Sequence, residues 1–310
     1  MTSVEVTDLT KEFRIGHGLK RSTLRAVDRV SFDLLPGRTV ALVGESGSGK
    51  STIARMLAKL ERPTSGSITV TLDDKTPVGG SVYRRHVQMV FQDPFASLNP
   101  FHSIEHHIAR PLRIHDRTRG AAATHEAVVH MLERVNLEPA ADIAARRPHE
   151  LSGGQRQRVA IARALAPGAQ VLIADEPVSM LDVSIRLGVL NLMARLQRED
   201  NLAVLYITHD LATARHFSDE ILVLYRGRVV ERGPSDAVIL NPQHDYTKLL
   251  AASAPDPERV GKLTSVAAPD RSKIDNSVSF NHYTGEWSSL DDAAVGASSG
   301  PAASVATPVR

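Results

Sequence analysis

Short apolar runs rich in Val, Ile and Leu recur along the chain at residues 39–43, 87–91, 171–174, 203–207 and 221–224. Runs of this length without polar alternation are the pattern of strands buried on both faces, as in a largely parallel sheet. Between them the period changes. Ile53, Met56, Leu57 and Leu60 fall on one face at spacings of three and four, as do Ile185, Val189, Leu192, Met193 and Leu196. Strands alternating with such amphipathic helices predict an α/β core. One interval breaks the alternation: between Phe91 and Val171 only helical periodicity is present, clearest at Val128, Met131, Leu132 and Val135. Residues 94–165 are therefore read as a helical subdomain inserted into the sheet. Near the start, 4–9 and 30–35 predict an antiparallel accessory sheet, and Arg226-Gly227 between Leu224 and Val229 predicts a hairpin. These elements place one folded domain in residues 1–254. From residue 255 the composition shifts to Ala, Ser, Pro and Asp, so 255–310 is expected to be a flexible extension. Its aromatic cluster, Phe280, Tyr283 and the single Trp287, reads as either a docking motif or a chance grouping.

With 310 residues, 42% of them hydrophobic, the chain has ample material for a core. Lys and Arg number 37 against 35 acidic residues, a net charge of +2, so there is no global basic field of the kind that gathers nucleic acid. The absence of cysteine excludes disulfides, thiolate zinc sites and cysteine-held iron–sulfur clusters. The N-terminus has no basic segment followed by an apolar one, and the longest apolar runs are strand-sized; the chain is expected to stay in the cytoplasm and to reach any membrane through another subunit.

Gly44-Glu45-Ser46-Gly47-Ser48-Gly49-Lys50-Ser51-Thr52 satisfies G-x-x-x-x-G-K-[ST] between a strand and a helix, the context this phosphate-binding pattern requires. Glycines turn backbone N–H groups toward a β-phosphate, Lys50 neutralises β/γ oxygens, and Ser51 offers a hydroxyl to Mg²⁺. The bland reading is a Gly-rich turn, which explains neither the lysine nor the flanking elements. Downstream, an apolar strand ends in Asp175-Glu176. Side chains alternate along a strand, so the two acids have different tasks: Asp175 as the Mg²⁺ carboxylate and Glu176 as the group that polarises attacking water. An acidic pair at a strand end is ordinarily a solvated turn, and it gains meaning as the partner of the loop. A GTPase shares these features but reads guanine through N-K-x-D, which is absent.

A third motif, Leu151-Ser152-Gly153-Gly154-Gln155, separates the first two. Physically it is an anion-binding helix start, or an N-cap at Ser152 with Gln155 completing a capping box. In this order the motifs resemble those of the nucleotide-binding subunits of ATP-binding-cassette transporters, and the resemblance runs from about residue 4 to 252. It implies a P-loop NTPase (RecA-like) core using ATP and Mg²⁺. It also implies that Gln92 is the Q-loop glutamine, contacting metal and site, that Ser179-Met180-Leu181-Asp182 is the D-loop, and that His209 senses the γ-phosphate. Phe13 then corresponds to the aromatic that stacks on adenine, and Ser152, Gly153, Gly154 and Gln155 reach the nucleotide of a second ATPase subunit, in a homo- or heterodimer.

Phe91-Gln92-Asp93-Pro94-Phe95-Ala96-Ser97-Leu98-Asn99-Pro100 and Asn241-Pro242-Gln243-His244-Asp245-Tyr246-Thr247 are similar to segments of subunits serving oligopeptide, dipeptide and nickel importers. Asp245 departs from the usual proline, and the long tail is unfamiliar. The resemblance implies two membrane permeases, an extracytoplasmic binding protein and work at the cytoplasmic face of the membrane, with peptides as the favoured cargo and oligosaccharides or nickel as alternatives. A soluble cassette ATPase acting on nucleic acid or ribosomes is the competing class, but such proteins carry tandem cassettes, coiled coils or zinc inserts. His102-Ser103-Ile104-Glu105-His106 matches H-x-x-E-H, a zinc pattern, yet its place after the Q-loop favours a polar face near the membrane partner.

Overall fold

The computed structural model describes residues 2–16, 22–72, 76–253, 278–281 and 286–289. In chain order its elements begin with β1 (Ser3–Ile15), β2 (Ser22–Leu34), β3 (Thr39–Val43), α1 (Lys50–Leu57), β4 (Ser65–Thr71), α2 (Gly80–His86) and β5 (Val87–Val90). Helices α3 (Pro94–Ser97), α4 (Ile104–Ile114), α5 (Ala121–Arg134), α6 (Ala140–Ala145) and α7 (Gly153–Leu165) then follow without an intervening strand. The alternation resumes with β6 (Val171–Asp175), α8 (Val183–Glu199), β7 (Ala203–Thr208), α9 (Leu211–Phe217), β8 (Glu220–Tyr225) and β9 (Arg228–Pro234). Helices α10 (Ser235–Leu240) and α11 (Asp245–Ser253) and the short strands β10 (Val278–Asn281) and β11 (Glu286–Ser289) complete the series.

The main sheet has the order β11-β10-β9-β8-β3-β7-β6-β5. Strands β5, β6, β7, β3 and β8 are mutually parallel, and the β8–β9 hairpin adds an antiparallel strand. Alternate side chains feed two separate cores. Ala41, Val43, Leu172, Ala174, Val204, Tyr206, Ile221 and Val223 pack with the inserted helices and α8, whereas Val40, Leu42, Ile173, Leu205, Leu222 and Leu224 pack with α1 and the smaller sheet. Burial on both faces is why these strands read as unbroken apolar runs.

The smaller sheet has the order β2-β1-β4, all antiparallel. It is one strand larger than the sequence suggests. In β4 only Val70 is buried, so the Ser-Gly-Ser-Ile-Thr-Val-Thr segment carries no apolar run. Leu60 also differs from expectation. Helix α1 stops at Leu57, Lys59 adopts a left-handed φ of 54°, and Leu60 is 60% exposed. Strand β10 pairs in parallel with β9 and antiparallel with β11, so part of the C-terminal extension borders the main sheet. The rest of 255–310, including Tyr283, lies outside the described residues. Among the described residues no helix is long and apolar enough to cross a membrane.

Candidate nucleotide site

The strand-to-helix links at one end of the parallel sheet carry the site. Residues 44–49 join β3 to α1, Gln92 lies between β5 and α3, Asp175 and Glu176 end β6, and His209 links β7 to α9. Ligands of open α/β sheets bind at this carboxyl edge. Local caps fix the links. Asp93 accepts the Phe95 and Ala96 N–H groups at 2.7 and 3.0 Å, with Pro94 opening α3, and Asp210 accepts from Ala212 at 2.9 Å.

Gly49, at φ 110°, begins α1, and a Cβ there would stand 2.4 Å from the Ala26 carbonyl, so neither the conformation nor the space admits another residue. Lys50 is 5% exposed, and its Nζ donates to the carbonyls of Gly44 and Glu45 at 2.7 and 2.8 Å. Burial pulls its pKa below the usual lysine value, against the opposing influence of Glu176, Asp175 and Glu45. A desolvated cation whose hydrogen-bond partners are neutral carbonyls of its own loop suits a ligand that brings negative charge. Ser48 Oγ, buried beneath the same loop, has no hydrogen-bond partner among the described residues. These observations fit a polyphosphate.

Ser51 Oγ donates to Asp175 Oδ1 at 3.2 Å. Asp175 is 6% exposed, and burial raises its pKa despite that bond. A hydroxyl beside a carboxylate is a hard-oxygen set of the kind Mg²⁺ takes through one or two protein ligands. Glu176 stands apart from this pair because it leaves the strand in a left-handed conformation, φ 45°. Its N–H donates to the Ile207 carbonyl at 2.9 Å, and its own carbonyl accepts from Ser179 N–H and Oγ at 3.2 and 3.0 Å. That conformation costs a non-glycine residue roughly 1–2 kcal/mol, and it aims the carboxylate across the site. Glu176 Oε2 accepts from Gln92 Nε2 at 3.0 Å and lies 3.4 Å from His209 Nδ1. Gln92 is thus hydrogen-bonded to Glu176, beside His209, and it lines one cleft with Ser51 and Asp175.

The signature residues form a separate group. Ser152 Oγ accepts the Gln155 N–H at 3.3 Å and Gln155 Oε1 accepts the Ser152 N–H at 2.9 Å, a complete capping box at the start of α7. A Cβ on Gly154 would meet Ile185 Cγ2 at 2.7 Å, so this glycine lets α7 approach α8. Asp182 precedes α8, and Leu181 packs beside Gly153. Phe13 is half-buried on β1 opposite Leu24, with Lys11 Nζ 4.9 Å above its ring. Lys11 is itself tied to Glu61 at 2.7 Å.

A cleft of about 1150 Å³ leads from Ser51 and Asp175 past Gln92 to His102, His106 and Arg110. The H-x-x-E-H residues do not converge on a metal. The His102 and His106 rings stack with centroids 4.0 Å apart, while Glu105 turns to His125 at 3.1 Å. Among the described residues no His, Asp and Glu group is arranged to hold a metal ion by itself.

Sequence reasoning missed Tyr246 as part of the site. Its hydroxyl accepts the Glu45 N–H at 2.9 Å, although 201 residues separate the two. The only hint was the quoted segment 241–247, whose residue types carry no phosphate chemistry.

A phosphate loop, an acidic strand end and a helical insert on one parallel sheet define a nucleotide-binding cassette. A family model described as ABC transporter matches residues 27–179. The ATP-binding cassette MJ0796, solved as a dimer in a post-hydrolysis state bound to ADP and Pi, is 30% identical with a TM-score of 0.63, over 75% of this chain and 98% of that one. The chain belongs to the ABC transporter family of ATP-binding cassettes. The glutathione import ATP-binding protein GsiA of Salmonella paratyphi A is 47% identical over 264 residues, 83% of this chain and 42% of that protein. GsiA of Escherichia coli K12 is likewise 47% identical, over 258 residues, 81% of this chain and 41% of its own length. The chain thus spans about 42% of the length of these curated relatives. The cbiO1 protein of Clostridium perfringens, part of the cbiONQ transporter complex, is 26% identical with a TM-score of 0.64, over 77% of this chain and 90% of that one.

Proposed function

We propose that the chain is the ATP-hydrolysing subunit of an importer for peptides, acting at the cytoplasmic face of the membrane. The observation that carries this reading is the convergence, at one edge of one sheet, of Lys50 and the Ser51–Asp175 pair on one side and Gln92, Glu176 and His209 on the other. The GsiA relatives, named for import of glutathione, itself a small peptide, support the cargo class.

In this reading residues 1–254 are the ATPase domain, 94–165 its helical subdomain and 255–310 an extension. Residues 44–52 wrap the triphosphate, and Lys50 exchanges its two carbonyl partners for β/γ oxygens. Ser51, Asp175 and Gln92 would hold Mg²⁺, which would neutralise the phosphate charge. Glu176 orients a water and accepts its proton as the water oxygen bonds to the γ-phosphorus. The bond from that phosphorus to the β–γ bridging oxygen breaks, leaving ADP and inorganic phosphate. His209 reports the γ-phosphate, and Phe13 stacks on the adenine. Ser152, Gly153, Gly154, Gln155 and Asp182 act across the interface on a second subunit's nucleotide, a role the dimeric MJ0796 supports. Two permeases dock along the Q-loop cleft, whose His and Arg lining favours an acidic segment, and an extracytoplasmic protein delivers the cargo.

Glu176→Gln tests the chemistry. The variant should bind ATP, accumulate the closed dimer and lose roughly 10²-fold or more in turnover. Wild-type turnover in that variant would remove the assigned base. Purification with permeases supports import, whereas stimulation by nucleic acid and a soluble partner sinks it.

A further inference from the structure

The Gly44–Glu45 peptide unit is gripped from both sides. Its carbonyl, that of Gly44, accepts Lys50 Nζ at 2.7 Å, and its N–H, that of Glu45, donates to the Tyr246 hydroxyl at 2.9 Å. Only one grip survives nucleotide binding if Lys50 moves to phosphate oxygens. We propose that Tyr246 is a positioning residue for the phosphate loop, holding the Gly44–Glu45 peptide in its binding shape once Lys50 has left. This rests on the nucleotide reading above and assigns a role in it to the C-terminal segment.

The tyrosine is itself firmly placed. It is 4% exposed at the start of α11, and its ring lies 4.3 Å from that of Tyr225 at the end of β8. The turn before it is organised by Glu231 on β9, which is fully buried. One Glu231 oxygen accepts the Gln243 N–H at 2.8 Å and the other accepts the His244 N–H at 3.1 Å. His244, 5% exposed, then accepts the Tyr246 N–H on Nδ1 at 3.1 Å. A buried carboxylate that spends both oxygens on two consecutive backbone N–H groups fixes the path of the turn. The chain of contacts runs from Glu231 through residues 243–246 to Glu45. Burial pushes the Tyr246 hydroxyl up to about 12, so it stays neutral and keeps this bond throughout the physiological range.

Tyr246→Phe removes the hydroxyl and keeps the ring contact with Tyr225. Two measurements on the full chain test the role. In the nucleotide-free protein, amide exchange at Glu45 should quicken roughly threefold to tenfold, the loss of one hydrogen bond of ordinary strength. In steady-state hydrolysis KM for Mg·ATP should rise by a similar factor with kcat within about twofold, because the loop's shape and not the reacting groups is altered. Glu231→Gln, which weakens the same turn, should raise KM in the same direction, and the double variant should do little more than the worse single one. Unchanged exchange at Glu45 together with unchanged KM overturns the proposal. So does an equal fall in kcat and thermal midpoint without a KM change, which marks a merely structural tyrosine. If the wild-type chain fails to bind Mg·ATP, the functional reading falls, while the exchange measurement still decides whether Tyr246 holds the loop.

Discussion

Asp175 shows how a functional group stands against stability. Burial raises its carboxyl pKa above the ordinary aspartate value, so ionisation costs more in the nucleotide-free fold than in the unfolded chain. The stabilisation from that proton is fully present below the unfolded pKa and is lost as pH rises through the higher folded value. At neutral pH the ionised Asp175 is therefore a burden. Asp175→Asn, which imitates the protonated acid, should raise the thermal midpoint of the nucleotide-free protein by roughly 2–4 °C, the effect of about 1 kcal/mol in a chain of this size. The gain over wild type should shrink as pH falls, and Mg²⁺-dependent ATP turnover should vanish. Scanning calorimetry across pH checks the first two; a variant less stable than wild type at pH 7 contradicts the burial argument. The residue types at this site were readable in advance because each has a mechanical requirement. The left-handed turn at Glu176, which separates its carboxylate from Asp175, was not, because nothing about a glutamate announces a positive φ.

Among the elements, the parallel strands were legible because both faces of each are buried, and the helices because one face is. Strand β4 was hidden by its small polar residues, and the end of α1 by Lys59, where the apolar spacing continues to Leu60 across a residue that has left the helix. The signature glycines are the instructive case. Read as anion-binding groups, they also include one required by packing, since a Cβ on Gly154 would press on Ile185. Gly154→Ala should cost about 1–3 kcal/mol, the usual penalty for overfilling a close helix contact. Ile185→Ala in the same chain should recover part of it, and urea unfolding of the two variants measures the recovery. If Gly154→Ala is as stable as wild type, α7 and α8 have room that the geometry denies.

For the whole molecule, the main sheet separates two cores, with the helical insert and α8 on one face and α1 with the smaller sheet on the other. The nucleotide site lies where elements from both meet. Gln92 stands on the link between β5 and α3 and is bonded to Glu176, so it ties the start of the helical insert to the acidic end of β6. Sequence alone exposed this division through the long interval without strands. It did not expose how the far C-terminus returns to β9. Val278 and Ser279 of β10 lie opposite Glu231 and Arg232, so the late strands cover an outer border whose backbone groups would otherwise face water. A chain ending at Ser253 uncovers that border. Bare strand borders recruit others of their kind, so without nucleotide the shortened protein should sediment as clusters at concentrations where the full chain remains single; identical sedimentation of the two would mean that the late strands shield nothing.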